Sequence, residues 1–390
     1  MIQSKYYIYI YSEGFPEIIS ARNNKNALIA KSLFPFGFRS FFYSKRYYKT
    51  NVASGTNLGN HDNVSYRFLN NSPKKINWIN ALFKEFFFLY NDSREYEKRY
   101  LILSYLSFPI FSLYYIFSLI FKFEIIISMM EWHIAVSKKS NYLHRLNSFL
   151  FDKIATRIIK KVMPISNAIA KEMFLFKKQE DILLLPVLTD YESISKIKPQ
   201  NTFSDYFLYC GNIGYADVIN FILDSYSHFL QKCSQNIDIE LHLVIHGDKN
   251  EIKGLEKKCR SNPVLQQVKF FSELSYTELI QKYKSARALL IPLRETVQDQ
   301  SRFPHKIAEY LASGRPIITN NWGEVSFYLK NKENALVAEK YNVELYSKLM
   351  SFSIANKIEI DEMGVQGRLL CKEKFDYINY GDKLSSFILG

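Results

Sequence analysis

The stretch that decides the fold is RALLIPLRETVQDQSRFPHKIAEYLASGRPIIT, which runs from Arg287 to Thr319. It predicts a buried strand at 287–293, a helix that Pro304 opens and Gly314 ends, and a second buried strand at 315–319. At 100° per residue, one side of this helix is apolar and consists of Phe303, Ile307, Tyr310 and Leu311. A strand, a helix and a strand in this order predict a parallel βαβ unit.

The same alternation extends through the second half of the chain. Short apolar runs predict further strands at 206–210, 239–247 and 267–271, and helical patterns follow them at about 216–232, 249–261 and 275–286. In the first half, strands are predicted at 5–11, 123–129 and 162–166, and helices at 23–34, 101–121 and about 142–161; the polar stretch at about 50–75 is predicted to be a surface loop. Together these patterns predict two doubly wound α/β domains that meet near residues 190–204, with ligands outside the carboxyl ends of the strands.

Composition and charge narrow the class of protein. Of 390 residues, 47% are hydrophobic and 23% are charged, a balance that excludes disordered and fibrous proteins. Residues 1–200 hold 28 Lys and Arg against 15 Asp and Glu, whereas residues 201–390 hold 23 of each kind, so the net charge of +13 lies in the first half. This asymmetry indicates a polyanion or an anionic lipid surface as partner, with compositional drift as the alternative. Basic runs interleaved with aromatic residues are missing, which argues against nucleic acid.

The sequence also bears on compartment and membrane contact. Four cysteines occur, none in a Cys-x-x-Cys pair, which excludes a disulfide scaffold and indicates a reducing compartment; they are Cys210, Cys233, Cys259 and Cys371. The start of the chain lacks the pattern of a signal peptide. Leu101–Phe121 is uncharged and 21 residues long, but its four Ser, three Tyr and Pro109 favour a buried or membrane-surface helix over a spanning one. We therefore expect a cytoplasmic protein that lies peripherally on the anionic inner face of the cell membrane.

The helix predicted after Pro304 carries a charged stripe. Arg302, Lys306 and Glu309 are spaced i, i+4 and i+7, which places two cations and a carboxylate together near a helix N-terminus. The cations could bind a diphosphate, while the carboxylate accepts hydrogen bonds from ribose hydroxyls. An exposed helix face with ordinary salt bridges is the alternative.

Five segments of the chain resemble one known family. SRFPHKIAEYLASGRPIITNNWGEVSFYL (301–329) resembles the donor-site signature of the retaining glycosyltransferases of family 4 (glycosyl transferases group 1), in the form FP-x-K-x-x-E-Y-L-A-x-G-x-P-V-I. Four further segments are similar to that family's neighbouring strands and loops, at 161–173, 207–215, 241–248 and 268–293. The likeness is strong over 160–375 and loose over 1–160.

The resemblance implies an α/β protein with the GT-B fold, in which two Rossmann-like domains face each other across a cleft. Residues 1–195 would form the acceptor-binding domain and residues 196–390 the nucleotide-sugar-binding domain. The last helix, about 366–390, is expected to pack back on the first domain.

The resemblance also implies roles for residues of the second domain. Glu309 matches the second glutamate of the family's two-glutamate motif, which binds the nucleotide ribose. Ser301 stands where the first glutamate would lie, which leaves the contacts to the donor sugar open. Asn212 and Asp217 lie where the family often has Arg and Lys, so the positive charge for the diphosphate must come from other residues. The candidates for that charge are Arg302, Lys306 and Arg294.

Further candidate site residues are glycines that let the backbone approach a ligand and polar residues that could act in catalysis. Gly211 and Gly214, in a loop like the one that opens the family's second domain, would let the backbone approach the donor, and Gly14 in SEGFP would do the same in the first domain. Glu131 and His133 follow a strand that the family turns toward its cleft, and they are the candidate catalytic residues. Ordinary structural roles are the alternative at each of these positions.

The implied reaction is transfer of a sugar, with retention, from a nucleoside diphosphate sugar to a glycan or a polyprenyl-diphosphate-linked acceptor in surface polysaccharide biosynthesis. No cofactor is expected, and the lack of an Asp-x-Asp pair predicts no metal. The alternative is a catalytically degenerate GT-B protein that binds a glycan or a partner. A sugar-nucleotide epimerase of the same fold is disfavoured by the FPHKIAEYLASG segment.

Overall fold

A computed structural model describes residues 5–12, 21–44, 58–69, 77–137, 141–200, 205–232 and 238–390. The contacts divide the chain into two compact units. The first comprises Met1–Thr189 with Tyr377–Gly390, and the second comprises Asp190–Asp376.

The first unit contains a sheet of seven described strands. They are β1 (Tyr6–Ile10), β2 (Phe38–Ser44), β3 (Leu58–His61), β4 (Val64–Phe68), β5 (Lys98–Leu103), β6 (Glu124–Met129) and β7 (Lys161–Pro164). Their order is β3-β4-β2-β1-β5-β6-β7, and β3 alone runs antiparallel to its neighbour. The central strands are Tyr- and Ile-rich and buried, as expected of a parallel sheet covered on both faces.

Among the described residues, seven helices accompany this sheet before the chain enters the second unit. They are α1 (Ala21–Leu33), α2 (Trp78–Ser93), α3 (Phe108–Phe121), α4 (His133–Val136), α5 (Tyr142–Phe149), α6 (Thr156–Ile158) and α7 (Asn167–Phe174). A π-helical segment, Leu150–Ala155, joins α5 to α6. No helix in the described ranges is long and apolar enough to cross a bilayer.

Two predictions for the first unit were wrong. The expected helix at 101–121 begins only at Phe108, because Leu101–Leu103 complete β5, paired on both sides with β1 and β6. An uninterrupted apolar run suits a buried strand and a helix equally, so the pattern could not separate them. The expected loop at about 50–75 contains β3 and β4. They are joined by Asp62 and Asn63, whose φ values of 50° and 67° fit a tight hairpin turn.

The second unit contains a sheet of six described strands, all parallel. They are β8 (Asp205–Asn212), β9 (Ile239–His246), β10 (Val268–Phe271), β11 (Ala288–Leu290), β12 (Ile317–Asn320) and β13 (Leu336–Ala338), in the order β10-β9-β8-β11-β12-β13. The order reverses between β8 and β11, and such a reversal is where doubly wound sheets bind ligands. The strands predicted here from apolar runs are confirmed.

Nine helices accompany this sheet in the part of the unit that the structure describes. They are α8 (Tyr191–Lys196), α9 (Ala216–Lys232), α10 (Lys249–Arg260), α11 (Tyr276–Ser285), α12 (Val297–Ser301), α13 (Lys306–Ser313), α14 (Val325–Tyr328), α15 (Val343–Ala355) and α16 (Lys357–Lys374). The predicted apolar side around α13 is confirmed, since Phe303, Ile307, Tyr310 and Leu311 are all buried.

The chain ends in the first unit with α17 (Gly381–Leu389). This helix packs on α1. A side chain at Gly381 would collide with the carbonyl oxygen of Ser32 on α1, at 2.5 Å from a built Cβ. The amine of Lys161, on β7, donates to the carbonyl oxygen of Ile388 at 2.9 Å, which fixes the end of the helix.

Candidate functional site

Most of the predicted site residues lie at the carboxyl edge of the second sheet. Gly211 is the penultimate residue of β8, and Gly214 follows the strand. Arg294 follows β11, and α13 lies between β11 and β12. Because all these strands are parallel, their carboxyl ends meet at one edge. A cavity of about 320 Å³ opens at this edge beside His246 and Gly247, after β9.

The loop after β8 has a defined geometry. The side-chain oxygen of Asn212 accepts a hydrogen bond from the backbone N–H of Gly214 at 2.9 Å. A Cβ at Gly214 would lie 3.1 Å from that oxygen, and a Cβ at Gly211 would collide with the ring of Tyr209. Both glycines thus have a steric reason in this structure, in addition to the backbone approach predicted from the sequence.

Next to this loop, the buried carboxylate of Asp299 organises two arginines. Its Oδ2 accepts hydrogen bonds from the backbone N–H and the Nε of Arg294 at 2.8 and 2.9 Å, and its Oδ1 lies 2.9 Å from Nη2 of Arg302. Arg294 also donates to Asp217 at 2.8 Å. Both guanidinium groups lie over the ring of Tyr215, at 5.4 and 4.6 Å from its centroid.

The charges of this cluster balance, with two arginines against two carboxylates. The paired carboxylates raise the pKa of Arg294, chiefly through its hydrogen bond to Asp299. Burial opposes ionisation of Asp217, but the hydrogen bond and the charge of Arg294 hold the pKa of that carboxylate below its usual value. Asp299 was missed by the sequence analysis, although its i, i+3 spacing to Arg302 is a signal that could have found it.

The predicted charged stripe is partly wrong. Helix α13 begins at Lys306, and Arg302 precedes it with an extended backbone (φ −89°, ψ 157°). Pro304 disfavours a helical conformation at the residue before it, so the helix cannot extend back to Arg302. Ser301, at the end of α12, is buried and its hydroxyl donates to the carbonyl oxygen of Gln298 at 3.1 Å. Only Lys306 and Glu309 share a face of α13.

Glu309 is a half-buried carboxylate on this helix. Burial raises its pKa to about 7, although the charge of Lys306 and a hydrogen bond from the hydroxyl of Tyr276 both favour the ionised form. The next residue, Tyr310, is fully buried, and its hydroxyl accepts a hydrogen bond from the backbone N–H of Cys210 at 3.1 Å. This bond ties α13 to the end of β8 and so places Glu309 at the carboxyl edge.

Lys306 lies at the first position of α13. Burial, and after it the positive charge of Lys306, lower the pKa of His246 at the end of β9. Within the part of the chain that the structure describes, no carboxylate forms an ion pair with Lys306. In contrast to Arg294 and Arg302, Lys306 is therefore not ion-paired with any described carboxylate, although its charge favours the ionised form of Glu309 on the same helix.

The first unit holds the two predicted catalytic candidates. His133 is the first residue of α4, and its Nδ1 lies 2.7 Å from Oδ1 of Asp152, which is fully buried. Its ring stacks on Tyr105 at a centroid distance of 3.9 Å. Glu131 lies half-buried in the turn between β6 and α4. Asp152 was missed by the sequence analysis, and no local pattern marks it, because it lies 19 residues from its partner.

Two further points concern the first unit. Gly14 lies outside the described residues. Lys25, on α1, is fully buried; its amine donates to the carbonyl oxygen of Leu185 at 2.9 Å, and burial lowers its pKa to about 7.

Across the described residues of both units, no group of three or more His, Cys, Asp or Glu is arranged to hold a metal ion.

The segment that contains this edge is similar to a known family. Residues 190–369 match the family model of glycosyl transferases group 1. This segment is a glycosyltransferase domain. No curated protein matches the chain in sequence.

The fold around the glycosyltransferase domain is similar to solved structures over the whole chain. A sucrose-phosphate synthase from Thermosynechococcus elongatus has a TM-score of 0.76 at 14% identity, over 97% of both chains. HepE from Anabaena, in complex with UDP and glucose, has a TM-score of 0.70 at 11% identity, over 98% of this chain and 99% of that one. A glycosyltransferase from Rickettsia africae has a TM-score of 0.69 at 14% identity, over 99% of both chains. The protein has the GT-B fold.

The predicted site residues divide between the two units. The glycosyltransferase domain contains Gly211, Gly214, Arg294, Ser301, Arg302, Lys306 and Glu309, and the structure places these along one edge of its sheet. Glu131, His133 and Gly14 belong to the first unit, outside the segment that the family model matches.

Proposed function

We propose that the protein transfers a sugar, with retention, from a nucleoside diphosphate sugar to an acceptor hydroxyl, as glycosyltransferases of family 4 do. The observation that carries the proposal is the placement of Glu309 and Lys306 at the carboxyl edge of a group 1 glycosyltransferase domain. A carboxylate suits the hydroxyls of a ribose, and a cation that is not ion-paired with a described carboxylate suits a diphosphate.

A uridine diphosphate sugar is the first donor to test. The structure of Anabaena HepE contains UDP and glucose, and a second structure of that protein contains UDP-glucose. The donor would lie at the carboxyl edge of β8 and β11, where the order of strands in the sheet reverses.

Each polar group then has a proposed role. Glu309 accepts hydrogen bonds from the ribose hydroxyls, and Lys306 binds the diphosphate. Gly211 and Gly214 let the backbone approach the phosphates. Arg294 and Arg302 contribute hydrogen-bond donors held by Asp299 rather than net charge, so Lys306 supplies most of the attraction for the diphosphate.

In the reaction, the bond between the anomeric carbon and the β-phosphate oxygen breaks, and a bond to the acceptor oxygen forms on the same face of the sugar. The acceptor proton leaves with the nucleoside diphosphate. Negative charge develops on the leaving diphosphate, where fixed cations and N–H groups stabilise it without a resident cofactor or metal. Glu131 and His133 are the proposed catalytic residues of the first unit.

The proposed acceptor is a glycan or a polyprenyl-diphosphate-linked glycan of a surface polysaccharide pathway. The support for a lipid-linked acceptor is the excess of basic residues in the first half of the sequence. A protein with this charge would lie peripherally on the anionic inner face of the membrane.

Proton NMR of the purified protein with UDP-hexoses tests the reaction. Without acceptor, water takes the place of the acceptor hydroxyl, and the anomeric configuration of the sugar first released reports the stereochemistry. We expect the released hexose to have the configuration that it has in the donor. Release of the opposite anomer would contradict retention. A protein that binds the nucleotide but never cleaves the donor would instead be the catalytically degenerate form.

A further inference from the structure

Three helices of the first unit lie side by side. Phe86 of α2 stacks on Phe117 of α3 with ring centroids 4.6 Å apart. Phe111 of α3 contacts Phe151, in the segment that joins α5 to α6, at a centroid distance of 6.0 Å. We use the name three-helix face for the exposed side chains of residues 78–93, 108–121 and 142–158.

The most exposed residues of α3, the middle helix of this face, are all apolar. They are Pro109, Leu113, Ile116, Leu119 and Ile120. Leu119 and Ile120 are each 64% exposed. The exposed side of a helix in a water-soluble domain is ordinarily polar, so the pattern of α3 is the reverse of the expected one.

The hydroxyl groups of two serines in α3 form hydrogen bonds within the helix. The hydroxyl of Ser112 donates to the carbonyl oxygen of Phe108 at 2.9 Å, and that of Ser118 to the carbonyl oxygen of Tyr115 at 2.7 Å. Both donors are thus taken up by the helix backbone.

The helices on either side extend the apolar surface. On α2, Phe83 and Phe87 are 70% and 63% exposed, and on α5, Tyr142 and Leu143 are 73% and 74% exposed. The other large exposed apolar residues of the face are Trp78, Ile79, Tyr90, Leu146, Phe149, Ile154 and Ile158. Exposed apolar patches of this extent mark an interaction site.

The exposed charges of the three-helix face are all positive. They belong to Lys84, Arg145 and Arg157. The carboxylates of the same helices are withdrawn from solvent. Glu85 and Asp152 are fully buried, and Asp92, which is 15% exposed, is paired with Arg67.

The combination of exposed apolar side chains and exposed cations on the three-helix face restricts the choice of partner. A second copy of the chain, docked through the same face, would bring like charges together. An anionic lipid bilayer matches both properties, because the apolar side chains enter the boundary between headgroups and acyl chains while the basic ones meet lipid phosphates.

We propose that the three-helix face docks the protein on an anionic lipid bilayer. The proposal deepens the proposed function, since it names the surface that brings the enzyme to a lipid-linked acceptor; only that link to the acceptor rests on the proposed function. The docking itself is a property of the first unit and does not need a nucleotide.

Flotation of the purified full chain with vesicles tests the proposal. One set of vesicles is phosphatidylcholine alone, and the other also contains phosphatidylglycerol. We expect the wild type to float with the anionic vesicles at about 0.1 M salt and to be released in part at about 1 M salt. A wild type that stays at the bottom of the gradient with both kinds of vesicle would overturn the proposal.

Matched variants locate the surface. Ile116→Glu with Ile120→Glu places charges on the apolar face and should weaken binding to anionic vesicles at least about tenfold. Lys84→Ser with Arg145→Ser should weaken binding to anionic vesicles alone. The control, Ile358→Glu with Leu369→Glu, changes exposed apolar residues of α16 in the second unit and should bind like the wild type.

The oligomeric state and the thermal stabilisation by UDP distinguish a failure of the docking proposal from a failure of the proposed donor site. If the wild type elutes as a dimer that Ile116→Glu with Ile120→Glu converts to a monomer, the face is an interface between copies and the docking proposal is wrong. Thermal stabilisation by UDP is measured on every variant. Stabilisation by UDP without vesicle binding refutes the docking alone, and vesicle binding without any stabilisation by nucleotides refutes the donor site alone.

Discussion

The Nδ1 atom of His133 lies 2.7 Å from the carboxylate of Asp152, which is fully buried and also accepts the backbone N–H of Ile134 at 2.8 Å. A carboxylate in this position holds the imidazole proton on Nδ1 and leaves Nε2 as an acceptor. Asp152 is thus a positioning residue for the proposed catalytic histidine.

Asp152→Asn should reverse the tautomer of His133. The amide oxygen would keep the hydrogen bond from Ile134, so the amide NH₂ group would face Nδ1 and move the ring proton to Nε2. We expect kcat to fall at least about tenfold with a small change in the KM for the donor. The ¹⁵N NMR shifts of the ring should report the new tautomer; unchanged shifts together with unchanged kcat would refute the role.

Glu309→Gln should stabilise the protein at alkaline pH. Because the pKa of Glu309 is about 7 in the folded state, above its usual value of 4.5, the wild type loses stability as the pH rises from about 4.5 to 7. The glutamine variant lacks this loss and should be more stable than the wild type by about 1–3 kcal/mol at pH 8. Urea unfolding at pH 5 and pH 8 checks this, and an equal difference at both values would contradict it.

Asp299→Ala should destabilise the second unit strongly. The substitution leaves Arg294 and Arg302 without their shared buried carboxylate, and the loss of one partner from a buried charged group costs about 3–5 kcal/mol. Asp361→Ala is the control, since it breaks an exposed ion pair with Arg315 at 3.4 Å and should cost less than about 1 kcal/mol. Similar losses of Tm in the two variants would show that the Asp299 cluster is not a structural centre.

Lys25→Met should stabilise the protein at neutral pH. The pKa of Lys25 is lowered from 10.5 to about 7 by burial, so between these values the unfolded chain binds the proton more tightly than the folded one. Stability of the wild type therefore rises with pH across this window. We expect the variant to gain about 2 kcal/mol at pH 7, after loss of the bond to Leu185, and less at pH 9.5.

A control variant separates the effect of burying the Lys25 amine from the effect of removing one positive charge from the protein. Lys171 is exposed on α7, and Lys171→Met should leave the Tm within about 1 °C of the wild type. A Lys25→Met variant that is less stable than the wild type at pH 7 would mean that the hydrogen bond to Leu185 outweighs the cost of burial.

Much of the second unit could be predicted from the sequence because its signals are local. Short apolar runs separated by helical patterns mark β8, β9 and β10, and the FPHKIAEYLASG segment marks α13. The end of β5, Leu101–Leu103, was predicted as helix because an apolar run of this length has no period that distinguishes a buried strand from a helix.

The side-chain partners of the site could be predicted less well. Asp152 and its histidine come together only when the chain folds, since their separation of 19 residues carries no pattern. The exposure of the apolar face of α3 also depends on which side of the helix meets the sheet. The sequence therefore suggests Leu101–Phe121 as a candidate for membrane contact, but not which of its side chains the fold leaves exposed.

Isothermal titration calorimetry with UDP, GDP, ADP, dTDP and CMP tests the central claim, that the edge carrying Glu309 and Lys306 binds a nucleoside diphosphate. We predict that one of the four diphosphates among these nucleotides binds the wild type and that Glu309→Gln weakens its binding about 10- to 100-fold, through loss of a charged hydrogen-bond acceptor. Glu362→Gln, at an exposed position of α16, should bind like the wild type. If none of the four diphosphates binds at about 1 mM, or if Glu309→Gln binds as tightly as the wild type, the account of the donor site is wrong.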